Sequence, residues 1–115
     1  MSTKGDLFHL IHIRENCQLA LQCASSFSED EFYRHGMAKY ACVRFLEVIG
    51  EASKNLTDEL RNQHPELNWK SAIGMRDRLA HDYAGTDFTI VWDTIKSVLP
   101  DFLSKIEAII ANIKQ

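Results

Sequence analysis

The chain has few of the residues that interrupt helices, with five glycines and two prolines among 115 residues. An all-β domain needs many tight turns, and these turns draw heavily on both residue types, so the scarcity argues against β sandwiches and barrels. Apolar residues make up 45% of the chain and charged residues 25%, as is usual for globular proteins. The length suits one domain with a single core. We therefore predict one all-α domain over residues 1–115.

The chain also lacks an excess of positive charge. Its formal net charge is −3, so the molecule as a whole does not attract nucleic acid. Any contact with RNA or DNA needs a local basic patch, for instance one formed by association of subunits. The overall charge thus argues mildly against a nucleic-acid role.

Cysteines and long apolar runs are scarce as well. The three cysteines have neither metal-binding nor redox spacing, and Cys17 and Cys42 fall inside apolar helical patterns, so buried reduced thiols are expected. The opening MSTKGDLFHLIHIRE has a short apolar run interrupted by histidines and an arginine. This pattern fits neither a signal peptide nor a membrane span, and we expect a cytoplasmic protein that does not bind membranes.

Apolar periodicity predicts four main helices and a short one. The first helix can start at any residue from Ser2 or Thr3 to Asp6, with Asp6 the best N-cap, and Ser28 with Glu31 forms a capping box at the start of the next helix. That second helix is predicted to run from Ser28 or Arg34 to Leu56, and Gly36 can separate a short first turn from the main part. Gly50 in its interior would let another backbone come close. The predicted inner stripe of this helix is Met37, Tyr40, Ala41, Arg44, Phe45, Val48, Ile49, Ala52 and Leu56.

The remaining helices follow from caps and breaks. A short helix begins after Thr57, Asn68 caps the third main helix, and Gly85 closes it. Asp87 or the residue before it caps the last helix, which Pro100 kinks or restarts. Short loops place successive helices antiparallel, so the predicted architecture is an up-down bundle of four or five helices.

The stretch Met75–Tyr83, MRDRLAHDY, departs from this packing pattern because it holds six polar side chains that carry chemistry. Arg76 offers a planar fork to phosphate oxygens, and His81 can accept or donate a proton near neutral pH. Tyr83 supplies a hydrogen bond, a stacking face or a nucleophilic oxygen. Such a set can cleave RNA without a metal, with the substrate's own 2′-hydroxyl as the nucleophile.

Simpler roles stay open for the same residues. Arg76 and Asp77 can form surface ion pairs, His81 can pair with Asp77, and Tyr83 can cap the core. Arg76 and His81 are about 140° apart around a regular helix. They can therefore cooperate only if the helix ends near His81 or if a second copy of the chain supplies the partner.

Two other kinds of site find little support. His9 and His12 are spaced like a pair of metal ligands, but no third ligand is evident, so we predict no metal site and no cofactor. A hydrolase with a Ser-His-Asp triad would need a nucleophile elbow, which the sequence lacks.

The polar stretch resembles a known family motif. Arg76-x4-His81-x-Tyr83 is similar to the Arg-x4–6-His motif of the HEPN superfamily, and most similar to its HepT-like branch, whose signature ends in tyrosine. The likeness extends over nearly the whole chain. FLEVIGEA at residues 45–52 resembles the second-helix signature of that branch, and HPELNW at residues 64–69 resembles the entry to its motif helix.

The resemblance implies a helical homodimer in which two motif helices face each other across a twofold axis. It implies a metal-independent endoribonuclease toxin whose antitoxin is a minimal nucleotidyltransferase (MNT) and silences it by adding AMP to the motif tyrosine. Carried over by position, Arg76 and His81 are catalytic and Tyr83 is the modified residue. RNA and the MNT antitoxin are the implied partners.

Three more residues are candidates for the same cleft. Arg44 is a candidate phosphate contact, and Glu51 and Asp77 are candidate neighbours, although structural salt bridges are an equally open reading. Two alternative functions are also open. One is a non-catalytic module that binds nucleotide or the nucleotidyltransferase, and the other is a purely structural helical interaction protein.

Overall fold

The computed structural model describes the backbone of residues 4–81 and 85–114, and the side chains of residues 5–80 and 85–114. Within these ranges the chain forms helices and no strands, which confirms the all-α prediction. A π-helical turn over Thr94–Val98 joins the last two helices. The α-helices are α1 (Lys4–Ser25), α2 (Glu29–Arg34), α3 (Gly36–Asn55), α4 (Asp58–Gln63), α5 (Trp69–His81), α6 (Phe88–Asp93) and α7 (Leu99–Lys114).

The four long helices α1, α3, α5 and α7 form the bundle. Helix α3 packs against α1 on one side and α5 on the other, and α1 also packs against α7. Aromatic contacts connect further pairs of helices. The Trp69 ring of α5 packs edge-on against Phe102 of α7, and Phe32 of α2 packs against Trp92 of α6. One continuous apolar core results.

The prediction that Asp6 caps α1 is wrong. The helix begins at Lys4, and the Asp6 carboxylate is buried, accepting hydrogen bonds from the backbone N–H (2.9 Å) and the hydroxyl (2.8 Å) of Thr57. A buried carboxylate needs such donors, and Thr57 at the end of α3 provides them. Thr57 also caps α4, as predicted, by accepting a hydrogen bond from Leu60 N–H. The start of α1 is thereby fixed to the end of α3, and the two helices run antiparallel.

The predicted long second helix is two helices. Its capping box is confirmed: Ser28 Oγ accepts from Glu31 N–H at 3.2 Å, and the Glu31 carboxylate accepts from Ser28 N–H at 2.9 Å. The chain then breaks at His35, whose backbone is extended. The Nδ1 of His35 caps the new helix by accepting a hydrogen bond from Ala38 N–H. A histidine cap therefore makes the break next to Gly36, where the sequence suggested one.

The predicted inner stripe of α3 is partly wrong. Met37 is 82% exposed and Tyr40 is 60% exposed, and Arg44 is exposed as well. Ile49, Ala52 and Leu56 are buried as expected. The buried face begins one residue later than predicted and uses small side chains, because α3 packs between two helices that approach it closely. Its further members are Ala38, Cys42, Leu46, Gly50 and Ser53.

The later helices largely follow the prediction. Asn68 accepts a hydrogen bond from Ser71 N–H at the start of α5, and Asp87 caps α6 through Thr89 N–H. The irregularity expected at Pro100 is the π-helical turn directly before it. Proline offers no N–H to the preceding turn, and the wider π turn accommodates this. Val98, the last residue of this turn, is exposed.

The buried thiols are confirmed. Cys17 and Cys42 are fully buried, and burial raises the pKa of each thiol to about 12. No helix in the described part of the chain is long and apolar enough to cross a membrane.

Candidate functional site

Arg76 lies where α5 meets α3. Its Nη2 is 2.8 Å from Glu51 Oε2, and its Nη1 is 3.1 Å from Asp77 Oδ1. The arginine side chain is 28% exposed, whereas the two carboxylates are about half exposed, at 48% and 50%. Water screens such half-exposed pairs, so they add little to stability. Their main effect is to fix the direction of the guanidinium group.

Gly50 brings the arginine to this position. A Cβ atom at Gly50 would lie 2.2 Å from Arg76 Cβ and 2.7 Å from the carbonyl oxygen of Ala72. Only glycine allows α3 and α5 to approach this closely, as the sequence predicted. The stem of Arg76 therefore rests on α3, and its guanidinium group reaches the carboxylate of the next residue, Glu51.

An open cleft of about 390 Å³ lies between α1, α3 and α5, with Arg76 in its wall. Its ionisable lining consists of two arginines, two histidines and two glutamates. The planar guanidinium groups of the two arginines suit phosphate or carboxylate groups. The lining residues are Phe8, His9, His12, Arg44, Glu47, Val48, Glu51, Ala52, Asn55 and Arg76.

The structure brings together three of the candidate site residues. Arg44, Glu51 and Arg76 all line the cleft. Asp77 binds Arg76 but lines a separate groove towards α4. The side chain of His81 and the whole of Tyr83 lie outside the described residues, so their roles stay predictions.

Sequence reasoning missed the contribution of α1 to the cleft. His9 and His12 were assigned only to a possible metal pair, and Phe8 was not singled out. The Phe8 ring lies 4.4 Å from the His12 ring and 5.4 Å from the His9 ring, measured between centroids. The sequence did contain a signal for this surface, namely three ring side chains within five residues near the start of a helix. Among the described residues, no group of three or more potential ligands could hold a metal ion.

Fold and cleft together define a class of protein: an all-α domain with an arginine-walled polar cleft suited to an anionic ligand. Comparison with known families makes the assignment specific. The HepT-like family model, described as ribonuclease HepT-like, matches residues 13–109. The chain belongs to this family, which confirms the resemblance drawn from its motif.

Individual relatives agree with the family assignment. The chain is 36% identical over 106 residues to the RNase candidate TTE0752 of Caldanaerobacter subterraneus, covering 92% of this chain and 95% of that protein. It is 34% identical over 99 residues to the "Probable ribonuclease HepT" of Thermococcus cleftensis, covering 86% and 90%. It is 42% identical over 85 residues to the RNase candidate MJ1216 of Methanocaldococcus jannaschii, covering 74% and 70%. No solved structure matches the chain.

Proposed function

We propose that this protein is a ribonuclease, and more specifically a metal-independent endoribonuclease that works at the Arg76 cleft. The observation that carries the proposal is the guanidinium group of Arg76, held by Glu51 in the wall of an open cleft. The family description as ribonuclease HepT-like and the names of the relatives support it.

The geometry suits Arg76 to a phosphate. Its two ion pairs use one N–H on each terminal nitrogen, while a guanidinium group carries five N–H donors in all. The group can therefore keep its carboxylate partners and still donate to phosphate oxygens. A fixed donor of this kind stabilises the negative charge that develops on the phosphoryl oxygens during cleavage.

In the proposed reaction, the 2′-oxygen of RNA attacks the adjacent phosphorus and the bond to the 5′-oxygen breaks. His81 accepts the proton of the 2′-hydroxyl group, and the leaving 5′-oxygen takes up a proton from solvent water. The products are a 2′,3′-cyclic phosphate and a 5′-hydroxyl end. Both atoms of the new bond come from the substrate, so the reaction needs no metal-bound water as its nucleophile.

Cleavage of RNA by the purified protein in EDTA tests this mechanism. We expect Arg76→Ala and His81→Ala to reduce cleavage by about 100-fold or more, since each removes a whole catalytic contribution. Arg78→Ala is the matched control, because Arg78 is an exposed arginine on the same helix whose guanidinium contacts Met75 Sδ. Full activity of His81→Ala with an intact fold would remove His81 from the mechanism.

We further propose that the enzyme is a homodimer and the toxin of a pair whose MNT antitoxin adds AMP to Tyr83. The support is the Arg76-x4-His81-x-Tyr83 motif together with membership of the family. The added phosphate would bring negative charge close in sequence to both catalytic candidates and would repel RNA. Mass spectrometry after incubation with the antitoxin, ATP and Mg²⁺ should show AMP adducts that Tyr83→Phe loses and Tyr40→Phe keeps.

A non-catalytic module that binds nucleotide or the antitoxin is the second candidate. The observation that favours it is that two carboxylates already balance the charge of Arg76. It predicts binding of RNA or of the antitoxin without cleavage under any metal condition. Cleavage that depends on Arg76 would exclude it.

A further inference from the structure

The start of α1 presents an aromatic surface at the mouth of the Arg76 cleft. Phe8 is 57% exposed although it is one of the largest apolar side chains of the chain. Its ring lies against His12, at 4.4 Å and 42°, and meets His9 edge-on at 75°. His12 is exposed and His9 is partly exposed. These rings thus form a small stacking surface that the bundle core does not use.

This surface belongs to the same cleft as two guanidinium groups. Phe8 and His12 from α1, Arg44 from α3 and Arg76 from α5 line one cleft. Its volume of about 390 Å³ is near the lower end of the range for small-ligand sites, so it fits a single nucleotide. A nucleotide combines an aromatic face with an anionic group, which is the combination that the cleft wall offers.

We propose that Phe8 and His12 form a subsite on which one unpaired RNA base stacks, with Arg44 contacting the phosphate beside it. The inference rests on the proposed ribonuclease function and adds to it a subsite that takes an unpaired base. Stacking on an aromatic side chain tolerates any base, because every base has a π face. A base inside a duplex is already stacked on its neighbours and cannot enter.

The test uses a short single-stranded RNA with one 2-aminopurine base and a 2′-O-methyl group on every sugar, so that no 2′-hydroxyl can attack. Fluorescence titration gives the Kd, and quenching of 2-aminopurine reports stacking. We expect Phe8→Leu to weaken binding about fivefold or more and to reduce the quenching, since stacking on aromatic side chains contributes at this level. Phe8→Trp should retain both signals, because it keeps an aromatic face.

Leu19→Ala is the matched control, because Leu19 is an exposed apolar residue of α1 outside the cleft. It should bind as the unaltered protein does. Equal Kd and equal quenching in Phe8→Leu would overturn the proposal, and so would equal binding of a duplex of the same sequence. Absence of binding by the unaltered protein would overturn it too.

Binding and cleavage measurements together distinguish a missing stacking subsite from a missing ribonuclease activity. The oligonucleotide is not cleavable, so a stacking signal can be present in a protein that does not cleave RNA. Conversely, if the unaltered protein cleaves RNA in EDTA and Phe8→Leu keeps its kcat/KM, the ribonuclease function stands and the stacking subsite is excluded.

Discussion

At the scale of single residues, the site depends on how one carboxylate aims one guanidinium group. Glu51 Oε2 lies 2.8 Å from Arg76 Nη2, and both side chains line the cleft. Glu47, one turn earlier on α3, lines the same cleft. The two glutamates therefore contribute the same charge to the cleft and differ in the contact that Glu51 makes with Arg76.

We expect Glu51→Gln to lower kcat about tenfold while changing stability by less than about 1 kcal/mol, because the ion pair is half exposed and its role is to position Arg76. Glu47→Gln removes the same charge and should lower KM for RNA without lowering kcat. Steady-state cleavage of RNA in EDTA, with a thermal melt of each variant, makes the comparison. Identical kinetic changes in the two variants would show that charge alone matters and that Glu51 does not position Arg76.

At the scale of helices, the contact between α3 and α5 depends on a missing side chain. A Cβ at Gly50 would meet Arg76 Cβ and the backbone oxygen of Ala72 at 2.2 and 2.7 Å. Gly74 on α5 is also helical, yet a Cβ there would meet nothing within 4 Å. The chain thus offers two helical glycines with opposite surroundings.

Gly50→Ala should destabilise the fold by about 1–3 kcal/mol, since a backbone atom cannot move aside as a flexible side chain can. It should also displace Arg76 and reduce RNA cleavage. Gly74→Ala should stabilise the fold by about 0.5–1 kcal/mol through its higher helix propensity. Urea unfolding of both variants measures the difference. A Gly50→Ala protein as stable as Gly74→Ala would contradict the close packing of α3 on α5.

The capping box of α2 provides a pH-dependent test at the same scale. Hydrogen bonds from the backbone and the side chain of Ser28 lower the pKa of Glu31 below its usual value. A carboxylate with a lowered folded-state pKa contributes stability that is fully present above its unfolded pKa. That contribution is lost as the pH falls through the folded-state pKa.

The stability difference between the unaltered protein and Glu31→Gln should therefore be largest near neutral pH and should shrink in the acid range. Glutamine can still accept the backbone hydrogen bond of the capping box, so the difference isolates the charge. Thermal melts from neutral to acid pH measure it, with Asp30→Asn as a control in the same turn but outside the capping box. A difference that grows as the pH falls would refute the capping role of the charge.

Sequence reasoning succeeded where helices are fixed by local contacts and failed where packing decides. The box of Ser28 and Glu31 is a local contact and was predicted. The close approach at Gly50 is a contact between two helices, and it was predicted because a glycine inside a helix marks such an approach whatever the partner is. The exposure of Met37 depends on how α3 sits between its neighbours, which periodicity within one helix does not reveal. Phe8 was missed for the same reason. Its role in the cleft depends on α3 and α5, which are far from it in sequence.

At the scale of the whole molecule, a net charge of −3 and a proposed RNA substrate are compatible because cleavage at one cleft needs only a few guanidinium contacts and no overall positive charge. Arg44 and Arg76 line the cleft together with Glu47 and Glu51, and Glu51 pairs with Arg76, so the two arginines act as individual phosphate contacts and not as a broad basic patch. Binding to single-stranded RNA should therefore involve few phosphates and depend only weakly on salt. A site of this kind favours short unpaired segments over long duplexes.

The cleft includes residues of α1, so this helix must keep its position against α3. The hydrogen bonds between Asp6 and Thr57, which are 51 residues apart in sequence, hold the start of α1 there. Asp6→Ala leaves the N–H and hydroxyl of Thr57 without their buried acceptor, so it should cost about 1.5–3 kcal/mol. Asp58→Ala removes the exposed ion-pair partner of Arg61 next to Thr57, and it should lower the free energy of unfolding by at most about 1 kcal/mol. Urea unfolding measures both, and equal losses would contradict the structural role of Asp6. Because Phe8 lies two residues after Asp6, the Asp6→Ala protein should also bind the 2-aminopurine RNA more weakly while still folded.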